Sequence, residues 1–489
     1  MKKSLLILSF AMLSVSAWAV KIYINSGHGS WSANCRHMGV IPVPVGSADA
    51  NGYYSGNDTL GFFESNTNLW KGLFLEKKLL EKGYQVKMSR RYSGGTNELE
   101  SSVYDKALHV IGAESQAYGS DYFISIHSNA HIDGYTTNYP VFIHKGYDGS
   151  DTNSGSIWGE QILWDHHFKI FSSGMEPYSY YSATNKCIRG GMSMNGWDYG
   201  VLRTQYRPGT LVEGYFHTYQ PGRHRAMQPD WCRQEGLRYF RGFTEMYGTA
   251  KDTKGYIMGY IRTKDKQINQ THYTGRSAND IYYPINGARV VLRNAKGELV
   301  KTDPYKYVAR DFVSQAIYTT DGYYNGVFVY EDLAPGTYTI TVHKAGYADV
   351  KQTLTVTANK TTYTKVFMTA GQGTEPDVNE IMGTSGLNPY AYDLTAAWDS
   401  VAQKLTVKFS LNADAYVDGA GGYADGVQIY LSDDPANPKK YYIHGLGKND
   451  RRQGQNKSFT IDLSSGLDKH GNVLPLGKDL YVSVTVQGD

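Results

Sequence analysis

The periodicity of the apolar residues changes along the chain. From residue 20 to residue 246, short apolar runs alternate with helical patterns, and from about residue 252 strand-like alternation replaces them. Alternating strands and helices are typical of an α/β domain, whereas alternation without helices is typical of β-sandwiches. We therefore predict a multidomain protein: an α/β domain, with a mixed sheet flanked by helices, followed by two β-sandwich modules.

Composition shifts and turn-forming residues place the domain limits. The α/β domain is predicted over residues 20–249, and its last helix begins near Trp231. A first sandwich follows over 252–369, a Gly-rich linker over 370–380, and an immunoglobulin-like β-module over 381–489. The strands predicted for the α/β domain are 21–24, 84–88, 122–126, 141–143 and 210–212, and a helix follows from the spacing of Leu69, Leu73, Phe74, Leu79 and Leu80.

The N-terminus has the pattern of a secretory signal peptide. Lys2 and Lys3 precede an apolar run over 5–13, and Ala17-Trp18-Ala19 fits a small-x-small cleavage site. We predict that residues 1–19 are removed and that the protein is exported, to the periplasm or beyond. No later run is long enough for a transmembrane segment, and a net charge of +3 gives no reason to expect nucleic-acid binding.

Polar residues collect where the predicted strands end. The first strand runs into Gly27-His28-Gly29, the third ends at His127, and the last ends at Glu213. Functional groups of an open α/β sheet gather at the carboxyl ends of its strands. Glu64, at the start of the next predicted helix, can bring a second carboxylate to the same edge.

Two histidines and one carboxylate are the ligand set of a catalytic zinc ion that keeps its fourth position open. A further carboxylate that is not a ligand can transfer the proton in amide hydrolysis. The glycines around His28 remove Cβ atoms, which would let substrate and backbone approach the ion.

Four motifs, in order, make residues 20–248 resemble the zinc-dependent N-acetylmuramoyl-L-alanine amidases of the amidase type 3 family. They are Asn25-Ser26-Gly27-His28-Gly29, Glu64 before the first long helix, Ser125-Ile126-His127-Ser128-Asn129-Ala130, and Leu211-Val212-Glu213-Gly214-Tyr215-Phe216. Two smaller marks agree, namely Ser89-Arg90 and Val201-Leu202-Arg203. Asn25 is a departure, because the family usually has Asp there.

The resemblance implies a function and a role for each position. One Zn2+ would be bound by His28, Glu64 and His127, and Glu213 would be the catalytic acid/base. The substrate would be peptidoglycan, cut between N-acetylmuramic acid and L-alanine during degradation or remodelling of the cell wall. Asn129, Arg203 and His217 are the candidates for substrate binding.

All three cysteines lie in the α/β domain, and an exported protein can keep disulfides. Cys35 follows His28 closely, so a bridge from Cys35 to Cys187 or Cys232 would fix the loop beside the metal. Three buried thiols are an equally good interpretation.

The middle module resembles the carboxypeptidase regulatory-like, transthyretin-like sandwich, through residues 333–340 and 344–347. Such domains act as spacers or contact surfaces. The tyrosines of the last module, Tyr416, Tyr423, Tyr430, Tyr441 and Tyr442, could form a sugar-stacking face, although tyrosine is also an ordinary strand residue. Carbohydrate or protein contact through these β-modules is thus a further hypothesis.

Two other functions stay open from the sequence. The first is a catalytically silent peptidoglycan-binding or adhesin protein, and the intact set of His28, Glu64, His127 and Glu213 argues against it. The second is a zinc hydrolase that acts on a different amide.

Overall fold

A computed structural model of the chain describes residues 19–29, 37–38, 62–91, 105–131, 136–177, 180–226, 228–268, 278–285, 288–298, 300, 326–344, 346–373, 381–383, 391–399, 401–411, 424–433, 437, 439–445, 456–476 and 480–488. Over these ranges no helix combines the length and the apolar character needed to cross a membrane. The predicted fold class, an α/β domain followed by β-sheet modules, is confirmed. The residue limits of the three domains stay predictions.

The N-terminal domain alternates strands and helices as the periodicity predicts. Its elements are β1 Lys21–Ser26, β2 His37–Met38, β3 Phe62–Phe63, α1 Glu64–Glu81, β4 Gln85–Met88, α2 Leu108–Tyr118, β5 Tyr122–Asn129, β6 Val141–His144, α3 Ser156–His167, α4 Lys169–Ser172, β7 Ile188–Gly190, α5 Gly191–Asn195, α6 Gly200–Arg203, β8 Gly209–Phe216, α7 Gln220–Ala226 and α8 Pro229–Met246. Each strand predicted for this domain is present.

A six-stranded mixed sheet, in the order β4-β1-β5-β8-β6-β7, organises this domain. The first four strands of that order are parallel, and β6 runs antiparallel to β8. The carboxyl ends of β4, β1, β5 and β8 therefore meet at one rim. Since β4 and β5 flank β1 on opposite sides, right-handed crossovers place α1 and α2 on opposite faces of the sheet.

Helix α1 buries an apolar stripe against the sheet. Leu69, Leu75 and Leu79 are almost fully buried in the core of the domain. Leu80 belongs to the predicted stripe but is exposed, because adjacent residues of a helix point about 100° apart. Helix α8, the predicted closing helix, packs against both α1 and α3.

The middle module consists of two facing sheets. Its strands are β9 Gly255–Gln267, β10 Tyr282–Pro284, β11 Arg289–Asn294, β12 Val327–Leu333, β13 Gly336–His343, β14 Val350–Val356 and β15 Thr361–Met368. In one sheet β9 pairs with β10, β12 and β15, and in the other the order is β11-β13-β14.

Over residues 255–263, strand β9 is buried on both of its faces. Tyr256, Met258 and Tyr260 pack into the core of the N-terminal domain, whereas the alternate residues Ile257 and Ile261 pack into the core of the middle module. Strand β12 alternates in the same way. Residues of this sheet therefore belong to two cores, one on each face, and the middle module packs directly against the N-terminal domain.

The C-terminal module also has two sheets, in the orders β16-β22-β19-β20 and β17-β18-β21. Its strands are β16 Ile381–Gly383, β17 Ala391–Asp399, β18 Lys404–Leu411, β19 Ala424–Ser432, β20 Tyr441–Gly445, β21 Asn456–Asp462 and β22 Leu480–Gly488. Its own core lies between the sheets. Tyr481 of β22 packs into the core of the middle module instead, so these two modules are also in contact.

Candidate metal centre

Three predicted ligands meet at the rim of the sheet. His28 follows β1, Glu64 opens α1, and His127 lies near the end of β5. His28 Nε2 lies 3.3 Å from Glu64 Oε2, and His127 Nδ1 lies 3.5 Å from Glu64 Oε1. One potential ligand atom from each residue falls within a span of 4.8 Å. The structure therefore holds a candidate His/Glu metal site.

The backbone around His28 is adapted to this arrangement. His28 has a φ of 59°, in the left-handed region that residues other than glycine seldom adopt. A Cβ atom on Gly27 would lie 2.1 Å from Cε1 of His127. The sequence suggests that this glycine lets substrate and backbone approach the ion, and in the structure Gly27 makes room for the imidazole of His127.

Several contacts orient the carboxylate of Glu64. Its Oε1 accepts hydrogen bonds from the backbone N–H of Ser128, at 2.8 Å, and from Nδ2 of Asn68, at 3.3 Å. Burial disfavours a charge here, but the imidazoles of His28 and His127 outweigh it and hold the pKa of Glu64 well below its usual range. The site thus contains a preoriented anion.

The donor set can be tested against the metal that the resemblance implies. Imidazole nitrogen and carboxylate oxygen are the usual ligands of zinc, whereas calcium and magnesium prefer oxygen alone. Burial lowers the pKa of His127, which favours the neutral imidazole that can donate a lone pair to a cation. The three residues therefore fit a zinc ion.

Glu213 lies beside this cluster on the neighbouring strand. In the pairing of β5 with β8, Glu213 is the partner of His127, and the register shifts immediately afterwards, between His127 and Asn129. Such bulges redirect side chains and are frequent next to active sites. Glu213 is buried, its Oε2 makes no hydrogen bond to any residue that the structure describes, and burial together with the charge of Glu64 raises its pKa well above the usual range.

Arg90 is a residue whose importance the sequence analysis missed. Its guanidinium donates to the carbonyl oxygens of Ser26, Gly27 and Ser65, at 2.7, 2.9 and 2.8 Å. Arg90 thereby ties the loop that carries His28 to the first turn of α1. The signal in the sequence is the Ser89-Arg90 pair, which agrees with the amidase resemblance but has no role assigned to it there.

Asn25, the departure from the family pattern, makes hydrogen bonds through both the nitrogen and the oxygen of its side-chain amide. Its Nδ2 donates to Ser125 Oγ at 2.7 Å, and its Oδ1 accepts from Ser89 Oγ at 2.8 Å. The amide thus links β1 to β5 and to the end of β4. An ionised aspartate could not donate the first of these bonds.

Replacing Arg90 by Ala is expected to lower the free energy of unfolding by about 3 kcal/mol, because three buried carbonyl groups lose a charged donor. Zinc affinity should fall about tenfold, since His28 directly follows the released Gly27. Urea unfolding and a competition titration with a chromophoric chelator measure the two effects. Arg189→Ala, which removes a half-exposed pair with Asp148, is the control and should cost less than about 1 kcal/mol. Equal losses in both variants would contradict the assignment.

The three residues predicted to bind substrate lie in different environments. The Asn129 side chain accepts from the backbone of Ala130, and Arg203 is exposed on α6 with its Nη2 3.4 Å from the carbonyl oxygen of Asp198. His217 is only 2 % exposed, and its Nδ1 lies 2.9 Å from Ser128 Oγ and 3.9 Å from Glu64 Oε2. His217 thus packs beside Glu64, and the substrate contacts of all three residues stay predictions.

Two further hypotheses depend on residues of which the structure describes only some. Cys187 and Cys232 are buried, but Cys35 lies outside the described residues, so the proposed bridge stays a prediction. Tyr416 and Tyr423 also lie outside them. Tyr430 and Tyr442 of the same module have ring centroids 5.4 Å apart, and sugar stacking on them stays a prediction.

Comparison with known protein families matches residues 328–371 to the PEGA domain. This β-module lies in the stretch that resembles the carboxypeptidase regulatory-like sandwich, and that resemblance stays a prediction. A search of curated proteins finds no match to this chain.

Among solved structures, the chain is similar to several N-acetylmuramoyl-L-alanine amidases. AmiC2 of Nostoc punctiforme is 16% identical over 47% of this chain and 97% of that one, with a TM-score of 0.33. The amidase from Clostridium difficile 630 is 18% identical over 47% and 97% of the chains, with a TM-score of 0.33. Ami1 from Mycobacterium abscessus is 14% identical over 47% and 98%, also with a TM-score of 0.33.

Proposed function

We propose that the N-terminal domain is a zinc-dependent amidase that cuts peptidoglycan between N-acetylmuramic acid and the L-alanine of the stem peptide. The observation that carries the proposal is the convergence of His28, Glu64 and His127 on one point, with Glu213 on the adjacent strand. These are the four positions that the sequence motifs match, in the same order along the chain.

The residues divide into a binding set and a reacting group. His28, Glu64 and His127 would hold the zinc ion, which supplies Lewis-acid chemistry for hydrolysis of an amide. Glu213 is buried beside them, and its Oε2 has no hydrogen-bond partner among the described residues. In its ionised form, the Glu213 carboxylate can accept a proton from the attacking water and deliver it to the amine nitrogen of the leaving L-alanine.

We also propose that the protein acts outside the cytoplasm, in the periplasm or the cell envelope. The support is the predicted signal peptide, of which residues 1–18 lie outside the described residues. A peptidoglycan substrate is consistent with that location.

Digestion of purified peptidoglycan sacculi tests the function. With zinc present, we expect soluble stem peptides that begin with L-alanine, identified by mass spectrometry, together with glycan strands that keep an intact lactyl group. A chelator should abolish the release, and added zinc should restore it. Sacculi that bind the protein but remain uncut would favour the silent wall-binding protein. Cleavage of small muropeptides alone would favour a hydrolase for another amide.

A further inference from the structure

We propose that the middle module braces the end of β8, the strand that carries Glu213, and that Asp280 is the positioning residue through which it acts. The role in catalysis rests on the proposed function, whereas the bracing itself does not. The first support is the packing of the two domains, because β9 and β12 place alternate side chains into the core of the N-terminal domain. The module is therefore packed against the domain, and a polar network extends from that interface to β8.

Asp280 precedes β10 and is 1 % exposed. Its Oδ1 accepts from Nη1 of Arg225 and from Nη2 of Arg262, both at 2.7 Å. Arg225 lies on α7 of the N-terminal domain, and Arg262 lies on β9 of the module. Burial disfavours the charge of Asp280, but the two guanidinium groups outweigh it and lower the pKa of its carboxyl.

Arg225 extends the network into the N-terminal domain. Its Nε and Nη2 donate to the two carboxylate oxygens of Glu176, each at 2.6 Å. Arg225 and Arg262 are thus paired with Glu176 and Asp280, and all four side chains are buried. A charge change at any of them takes an ion-pair partner away from a buried charge.

The network ends on the strand that carries Glu213. Asn138 donates from Nδ2 to Glu176, at 2.6 Å, and accepts at Oδ1 from the backbone N–H of Phe216, at 2.9 Å. Phe216 is the last residue of β8, three positions after Glu213.

The hydroxyl of Tyr219 donates directly to Asp280. The end of β8 and the turn that follows it are therefore held at two points, Phe216 and Tyr219, by one network that Asp280 completes. Removal of the Asp280 charge should loosen this segment without touching the predicted ligands or Glu213.

The test uses the full chain with Asp280→Asn, and Asp332→Asn as the control. Asp332, whose side chain is half-exposed, lies at the same interface, where it accepts from Tyr256 and pairs with Lys78 of α1. Amide hydrogen exchange of peptides covering 209–219 should be at least tenfold faster in Asp280→Asn. In Asp332→Asn it should stay within twofold of wild type.

Activity gives a second readout. In Asp280→Asn, kcat per bound zinc ion should fall at least tenfold while KM changes less than threefold, because the reacting strand is displaced and the surface that binds substrate is retained. Loss of folded protein alone would leave kcat per bound zinc ion unchanged. It would also lower protection from hydrogen exchange throughout the chain rather than at β8 alone. Unchanged exchange over 209–219 in a folded Asp280→Asn protein would overturn the proposal.

Tyr219→Phe covers the case in which Asp280→Asn does not fold, since it removes one hydroxyl and keeps every charge. It should raise exchange over 209–219 about threefold, and wild-type exchange in this variant would count against the brace. A wild-type protein that cuts no peptidoglycan would overturn the proposed function, and hydrogen exchange would still decide whether Asp280 positions β8.

Discussion

Glu213→Gln is expected to lower kcat on peptidoglycan by about 10³-fold, the range lost when a general acid/base is removed. Glutamine has nearly the same shape but cannot accept and return the proton. The variant should keep its zinc, because Glu213 is not among the three residues whose donor atoms converge. Stability should not fall, since the substitution removes a buried carboxyl that lies close to the charge of Glu64.

Release of stem peptides, zinc content and urea unfolding measure the three parts of this expectation. Glu114→Gln is the matched control, since Glu114 lies on α2 and bonds Lys106 and Tyr23. Its kcat should stay within twofold of wild type. More than a tenth of wild-type kcat in Glu213→Gln would mean that a different group moves the proton. Loss of zinc in that variant would make Glu213 a ligand instead.

The rim of the sheet could be predicted from the sequence because strand ends are local signals. The run Ile124-Ser125-Ile126 fixes β5 and leaves His127 near its end, and Leu211-Val212 does the same for Glu213. Parallel neighbours then bring both residues to one edge. Glu64 was the harder case, since its place depends on where α1 begins, and the resemblance supplied the assignment.

The residues that hold the rim in shape were not predictable in the same way. Arg90 donates hydrogen bonds to three backbone carbonyl groups. Because every residue has a carbonyl group, the sequence does not indicate which ones Arg90 contacts. Gly27 was noticed, but the atom that needs its space belongs to His127, a hundred residues away along the chain. Contacts of this kind depend on the tertiary structure.

One feature of the sequence indicates that the middle module packs against the N-terminal domain. Residues 256–261 of β9 form an almost unbroken apolar run, which is typical of a strand covered on both faces rather than one. No feature of the sequence indicates the pairing of Arg225 with Asp280, because these residues are 55 positions apart and belong to different domains. Charged residues at such separations become a network only after both domains have folded.

Gly27→Ala is expected to be the most disruptive small change at the site. The added Cβ would lie 2.1, 2.3 and 2.5 Å from Cε1, Nε2 and Nδ1 of His127, so the imidazole has to move. A displacement of about 1 Å at a reacting centre can cost about 100-fold in rate, and we expect at least that loss of kcat/KM. Zinc affinity should fall about 10- to 100-fold, and overpacking should lower the free energy of unfolding by about 2 kcal/mol.

Gly371→Ala is the control, since its added Cβ would meet only Ala348 of the middle module, no closer than 3.2 Å. Activity there should stay within twofold of wild type, and stability should change by less than about 1 kcal/mol. Competition titration of zinc, urea unfolding and peptide release measure the pair. Wild-type zinc affinity in Gly27→Ala would mean that the displaced imidazole contributes nothing to binding. His127 would then be removed from the set of predicted ligands, because the added methyl group must displace an imidazole that lies so close to position 27.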